Sequence, residues 1–235
     1  MDINNSEIKS LEELTSEDCH ILFDTSVIIC PLGKNKEFFE NRKEKAKADF
    51  LEKNNEFLNE MKEYILNKNN FFTTDSVIKE LYSHHHYNYM KMIRRAGGHK
   101  DRELLRLRRM INKEQKEQRK IISAFTDNDK LIILEGEMGN IYDRIFEKYQ
   151  KLIKENGLSY TDFDFLITGI TLSMTSNPVI FVSNDYGIFH ARNRILQKEN
   201  LEEKDSRFFI RTNFFEFRSL YYCKHPKIEQ LSGSS

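Results

Sequence analysis

Short apolar runs alternate along this chain with longer stretches of helical spacing, and that alternation restricts the fold to a mostly parallel α/β sheet built from crossovers. The strand-like runs are HILFDTSVI from His20, FFTT from Phe71, KLIILEGE from Lys130, PVIFVSND from Pro178 and RFFIRTNFFEF from Arg207. The first is apolar enough to be buried on both faces of a sheet, and the fourth is the strongest strand signal after it. Between them, residues 35–68 carry Phe38, Phe39, Ala46, Phe50, Phe57, Leu58, Met61, Tyr64 and Ile65 at helical spacing. Thr74 and Asp75 are candidate N-caps for a helix running to the Ala96-Gly97-Gly98 break. Further helices are expected over about 100–124, in NIYDRIFEKYQKLIKEN, in DFDFLITGITLSM up to Asn177-Pro178, and in GIFHARNRILQKEN. With 3 prolines and 9 glycines in 235 residues, little of the chain is marked for irregular structure.

That length suits one large domain. Residues 1–18 read as a polar lead-in with a short helix around SLEEL, 19–230 as a single domain with a basic helical elaboration at about 84–128, and 231–235 as a flexible tail. Lys+Arg and Asp+Glu both number 37, so the chain is not a uniformly basic nucleic-acid binder, although a local patch is compatible with that balance. Cys19, Cys30 and Cys223 lack metal-ligand spacing and fit a reducing cytoplasm better than a disulfide scaffold. No stretch approaches the roughly 20 apolar residues of a membrane span, and the polar opening MDINNSEIKSLEEL does not read as a secretory signal.

Four acids stand at the ends of the apolar runs or on the helices that follow them: Asp24 in ILFDTSVII, Glu80 in FFTTDSVIKEL, Asp164 in TDFDFLITGI and Asp185 in VIFVSNDYGIF. Carboxylates that follow parallel strands converge at the carboxyl edge of the sheet, where α/β proteins bind ligands. A converged set repels itself unless protons or cations neutralise it, and a hard divalent ion such as Mg2+ or Mn2+ prefers oxygen ligands. Each acid alone is more readily a cap or a surface group; the ordered set points to metal-assisted phosphodiester hydrolysis.

In order, spacing and strand context these motifs resemble the PIN-domain (PilT N-terminus-like) nucleases over about residues 19–216. The matching pieces are a strand ending in Asp with a hydroxyl residue two positions on (Asp24, Ser26), a strand leading into a helix that carries Glu (Glu80), a helix opening with Asp and continuing apolar (Asp164), and a strand closing Ser-x-Asp (Ser183, Asp185) before the aromatic Phe189. The resemblance implies a three-layer α/β/α sandwich and an endonuclease that prefers RNA. It implies a Mg2+ or Mn2+ site among Asp24, Asp164 and Asp185, with Glu80 as ligand or water-orienting base. Ser26 and Ser183 would donate to the carboxylates or to phosphate. Asp162 competes with Asp164 for the third acidic position; the apolar pattern starts directly from Asp164, which leaves Asp162 to cap the helix or stand behind the site.

Family members serve as toxins or defence effectors, process RNA, or act in its quality control, and they commonly pair, so a homodimer is expected. For a toxin, an inhibitor protein would block the site by inserting a basic side chain among the carboxylates. The alternatives are a non-catalytic RNA-binding or assembly module on the same fold and a structure-specific DNA nuclease, although no helix-hairpin-helix module is present. A phosphatase of the haloacid dehalogenase type needs DxDx[TV] after its first strand, and this chain has DTSVI.

Residues 91–120 hold 12 Lys or Arg against 4 Asp or Glu. Arg94, Arg95, Lys100, Arg102, Arg106, Arg108 and Arg109 are the candidate phosphate contacts, weighed against a solvated helix face with internal ion pairs. His84, at i+4 from Glu80, could share its helix face, but the run His84-His85-His86 is read as surface or packing.

Overall fold

The computed structural model describes residues 8–15, 17–28, 44–83, 102–175, 177–211 and 220–223. Its centre is a sheet of six strands: β1 (Ile8–Lys9), β2 (His20–Phe23), β3 (Phe71–Phe72), β4 (Val179–Val182), β5 (Ser206–Arg211) and β6 (Leu220–Tyr222), in spatial order β1-β6-β5-β4-β2-β3. The β5-β4-β2-β3 portion is parallel throughout, and β6 and β1 extend it antiparallel at one edge. All four residues of β4 are buried, as are Ile21, Leu22 and Phe23 of β2. Strands covered on both faces are what helices on either side of a parallel sheet produce, consistent with three layers.

The helices are α1 (Leu11–Thr15), α2 (Thr25–Ile28), α3 (Glu44–Asn67), α4 (75–83), α5 (Arg102–Thr126), α6 (Glu137–Tyr149), α7 (Leu152–Asn156), α8 (Tyr160–Thr175) and α9 (Tyr186–Glu199). Their starts carry local signals. Ser10 and Glu13 form a reciprocal capping box at α1. Thr74 caps α4 through a 3.4 Å contact from the Val77 amide. Gly157, at φ 65°, ends α7 in the left-handed region, and its N–H returns to the Ile153 carbonyl. The long helices α3 and α5 pack against each other. They contribute Phe57, Leu58, Met61 and Ile65 from one side and Ile121, Ile122 and Phe125 from the other to the buried core.

Three differences from the sequence reading have physical causes. Residues 8–15, taken as part of the lead-in, belong to the folded domain: β1 pairs with β6 at the sheet edge, and Leu11 and Leu14 of α1 are buried in the core. Only HILF of HILFDTSVI is strand, because Asp24 turns the chain into α2. KLIILEGE forms no strand; Leu131 makes a single parallel bridge to Thr73, since the two-residue β3 offers little edge to extend from. The expected helix from about 100 is found as α5, whereas His84-His85-His86, Arg94, Arg95 and Lys100 lie outside the described residues.

Candidate active site at the carboxyl edge of the sheet

From β2 the chain crosses to β3 on one side, and β4 then returns on the other side of β2. The gap between β2 and β4 is therefore a topological switch point, the usual ligand crevice of an open α/β sheet. Phe23 is in register with Val182, so Asp24 and Ser183 emerge side by side at the carboxyl ends. The Asp24 amide donates to the Val182 carbonyl at 3.1 Å, continuing the ladder one step.

Asp24 is buried. Its Oδ2 accepts from the hydroxyls of Ser26 (2.5 Å) and Ser183 (2.8 Å) and, at 3.3 Å, from the Ser26 amide. The Asn184 amide donates to Ser26 Oγ at 2.9 Å, and the Asp185 amide to Ser183 Oγ at 3.0 Å. Two serine hydroxyls thus stitch the β2–α2 turn to the β4–α9 turn. Asp185 is the N-cap of α9, and its Oδ1 accepts from the Gly187 amide at 2.7 Å.

The other two acids share a cleft of about 870 Å³. Glu80 and Asp164 line it together with Asp75, Lys79, Asp143 and hydroxyl-bearing residues such as Thr74, Ser76 and Thr168. Asp164 is held from both sides: Tyr142 donates to its Oδ1 at 2.5 Å, and Ser76 donates to its Oδ2. Ser76 sits four residues before Glu80 on α4, so this bond ties Asp164 to the helix face that carries Glu80. Thr25 joins the two halves of the site, donating to Glu80 Oε2 at 2.8 Å from the residue after Asp24.

Burial, reinforced by the hydrogen bond to Asp164, pushes the Tyr142 hydroxyl well above the ordinary tyrosine range, so it stays a donor at neutral pH. The Lys79 ammonium is held above its usual range by its hydrogen bond to Asp75.

Asp162 does not line the cleft. It closes a capping box at the start of α8, accepting from the Ser159 amide at 2.8 Å while its own amide donates to Ser159 Oγ at 3.1 Å. The site is therefore two linked pairs, Glu80 with Asp164 in the cleft and Asp24 with Asp185 at the strand ends. Among the described residues, no three His, Cys, Asp or Glu side chains are grouped closely enough to hold one metal ion. Magnesium, however, is often bound through one or two carboxylates with several waters retained. The all-oxygen pair Glu80 and Asp164, oriented by Thr25, Ser76 and Tyr142 in an open cleft, fits that demand.

The basic stretch is helical in α5, where Arg109, Lys113, Lys116, Arg119 and Lys120 are exposed. Lys120 is paired with Glu117 at 2.8 Å, an internal pair of the kind a solvated face carries. Arg102, Arg106 and Arg108 are also on α5.

Sequence reasoning missed Tyr142, Ser76 and Thr25. Ser76 had a signal, its i,i+4 spacing to Glu80; Tyr142, on α6, reaches Asp164 only through tertiary packing. Among the described residues no helix is long and apolar enough to cross a membrane. No family model, curated protein or solved structure gives a significant match to this chain.

Proposed function

We propose that this chain is a divalent-metal-dependent endonuclease of the PIN type that hydrolyses phosphodiester bonds, with RNA as the preferred substrate. The observation that carries this reading is the sharing of one open cleft by Glu80 and Asp164, with Asp24 and Asp185 immediately behind at the switch point of the sheet. Glu80 and Asp164 would hold Mg2+ or Mn2+. The ion, when bound, would lower the pKa of a coordinated water and stabilise charge on the phosphate oxygens. The chain's own residues do the positioning: Ser76 and Tyr142 fix the Asp164 carboxylate, Thr25 fixes Glu80, and Ser26 and Ser183 hold Asp24 against the strand ends. The RNA preference rests on the resemblance of the motifs, and the exposed cations of α5 would supply contacts to a polyanion.

A non-catalytic RNA-binding module on the same scaffold is the second reading. It is favoured by the capping of α9 by Asp185 and the burial of Asp24, which give both acids structural work. Calorimetric titration of manganese separates the two. The nuclease reading expects one or two sites in the intact protein, weakened at least tenfold by Glu80→Gln and by Asp164→Asn. Absence of binding at millimolar manganese would favour the module.

A further inference from the structure

The geometry points to a nucleobase subsite at Tyr160: an unpaired base stacks on this ring while its neighbouring phosphate enters the cleft beside Asp164. The inference rests on the nuclease reading and adds to it the form of the substrate, a single strand or an unpaired loop.

Tyr160 is the first residue of α8, one turn before Asp164, and both line the same cleft. That spacing, four residues or about 6 Å along the helix axis, is of nucleotide size. The tyrosine is 65% exposed, and of the exposed large apolar side chains among the described residues (Leu66, Tyr82, Ile133, Tyr160 and Tyr186) it alone lines the cleft.

The ring is braced from behind. It leans on Phe146 at 5.6 Å between centroids with the planes tilted by 55°, which does not cover its face as stacking would. Phe146 in turn meets Phe163 edge-on at 4.9 Å and Tyr142 at 5.6 Å. The aromatic row therefore ends at the hydroxyl that holds Asp164. The capping box of Ser159 and Asp162 fixes the backbone from which Tyr160 projects. A braced, exposed π-face next to an anion-handling site is the arrangement that single-strand binders use, because every base has a face to stack and only an unpaired base can present it. The Thr161 hydroxyl on the same wall would suit a sugar or phosphate oxygen.

The test uses the full chain and a short single-stranded RNA with one 2-aminopurine, in calcium, following binding by anisotropy and stacking by quenching of the probe. Tyr160→Ala and Tyr160→Phe are compared with the unaltered protein, and all three are checked for equal thermal stability. The subsite predicts quenching by the unaltered protein, about tenfold weaker binding and lost quenching in the alanine variant, and both retained with phenylalanine. Equal binding and quenching by the alanine variant would overturn the subsite, as would no quenching by the unaltered protein. Cleavage of the same strand in manganese is scored separately, so a failed subsite in a protein that cuts RNA leaves the nuclease reading standing.

Discussion

Gly169 lies five residues beyond Asp164 on α8, where the helix crosses the sheet, and replacing it with alanine tests whether that close approach sets the site. A Cβ there would sit 2.3 and 2.4 Å from Cζ and Cε1 of Phe181 and 3.3 Å from Cδ2 of Leu22. Carbon atoms pack comfortably at about 3.5–4.0 Å, so the ring or the helix must retreat by more than about 1 Å. Phe181 is fully buried, with Phe165 edge-on at 5.6 Å and Phe208 stacked at 6.3 Å, and a close-packed interior has no slack to absorb the shift. Alanine gains about 1 kcal/mol of helix propensity over glycine. Overpacking costs about 1–3 kcal/mol, and a contact this close belongs at or above the upper end. The clash wins, and Gly169→Ala should lose roughly 2 kcal/mol net.

Urea denaturation should show this as a lower midpoint at unchanged slope. Adding Phe181→Leu should return part of the loss, with a coupling of about 0.5–3 kcal/mol between the two positions. Because α8 carries Asp164, the single variant should also loosen manganese binding, and the double variant should restore some of it. A Gly169→Ala protein as stable as the unaltered one, or additive effects in the double variant, would refute the argument from close approach.

Ser183→Ala removes one of the hydroxyls that Asp24 Oδ2 accepts from inside the protein and should cost about 1–3 kcal/mol in the same assay; a change within 0.5 kcal/mol, about the level of a surface substitution, would contradict it. Glu17, held by Lys9 and Arg207, links β1 to β5; burial alone would raise its carboxyl, but the hydrogen bonds from Arg207 and Lys9 outweigh it and keep the group below its ordinary range. A depressed carboxyl stabilises the fold above its unfolded pKa and loses that contribution as pH falls through the folded value. Glu17→Gln should therefore cost about 1–3 kcal/mol at neutral pH, with the difference shrinking below about pH 4.3; a pH-independent difference would contradict the ion-pair account. Reversing Arg106, Arg108 and Arg109 to Glu should weaken RNA binding and flatten its dependence on salt; an unchanged slope would return α5 to a merely solvated face.

The parallel centre of the sheet was legible because β2 and β4 are uninterrupted apolar runs flanked by helical patterns. The edges were not. Strands of two and three residues, such as β1 and β6, are too short to carry a period, and their pairing joins residues more than 200 positions apart. KLIILEGE misled in the opposite direction: its apolar content resembles a strand, yet Ile133 is 71% exposed and a single bridge is all that forms. In the candidate site, the order and strand context of Asp24, Glu80, Asp164 and Asp185 could be read directly. Their division into two pairs could not, because it depends on how α4 and α8 pack across the sheet and on which donors claim each carboxylate. Asp185 and Asp162 illustrate this: a residue suited to metal is equally suited to capping a helix, and only the surrounding amides decide.

We propose Glu80 and Asp164 as the working pair of a metal-dependent nuclease. The most direct measurement is cleavage of end-labelled single-stranded RNA and DNA by purified protein in manganese, with an EDTA control and with Asp24→Asn, Glu80→Gln, Asp164→Asn and Asp185→Asn alongside. The expected result is EDTA-sensitive cutting, faster on RNA and abolished by Glu80→Gln and Asp164→Asn. Cutting that survives both substitutions, or no manganese-dependent cutting of either polymer by the unaltered protein, would contradict it.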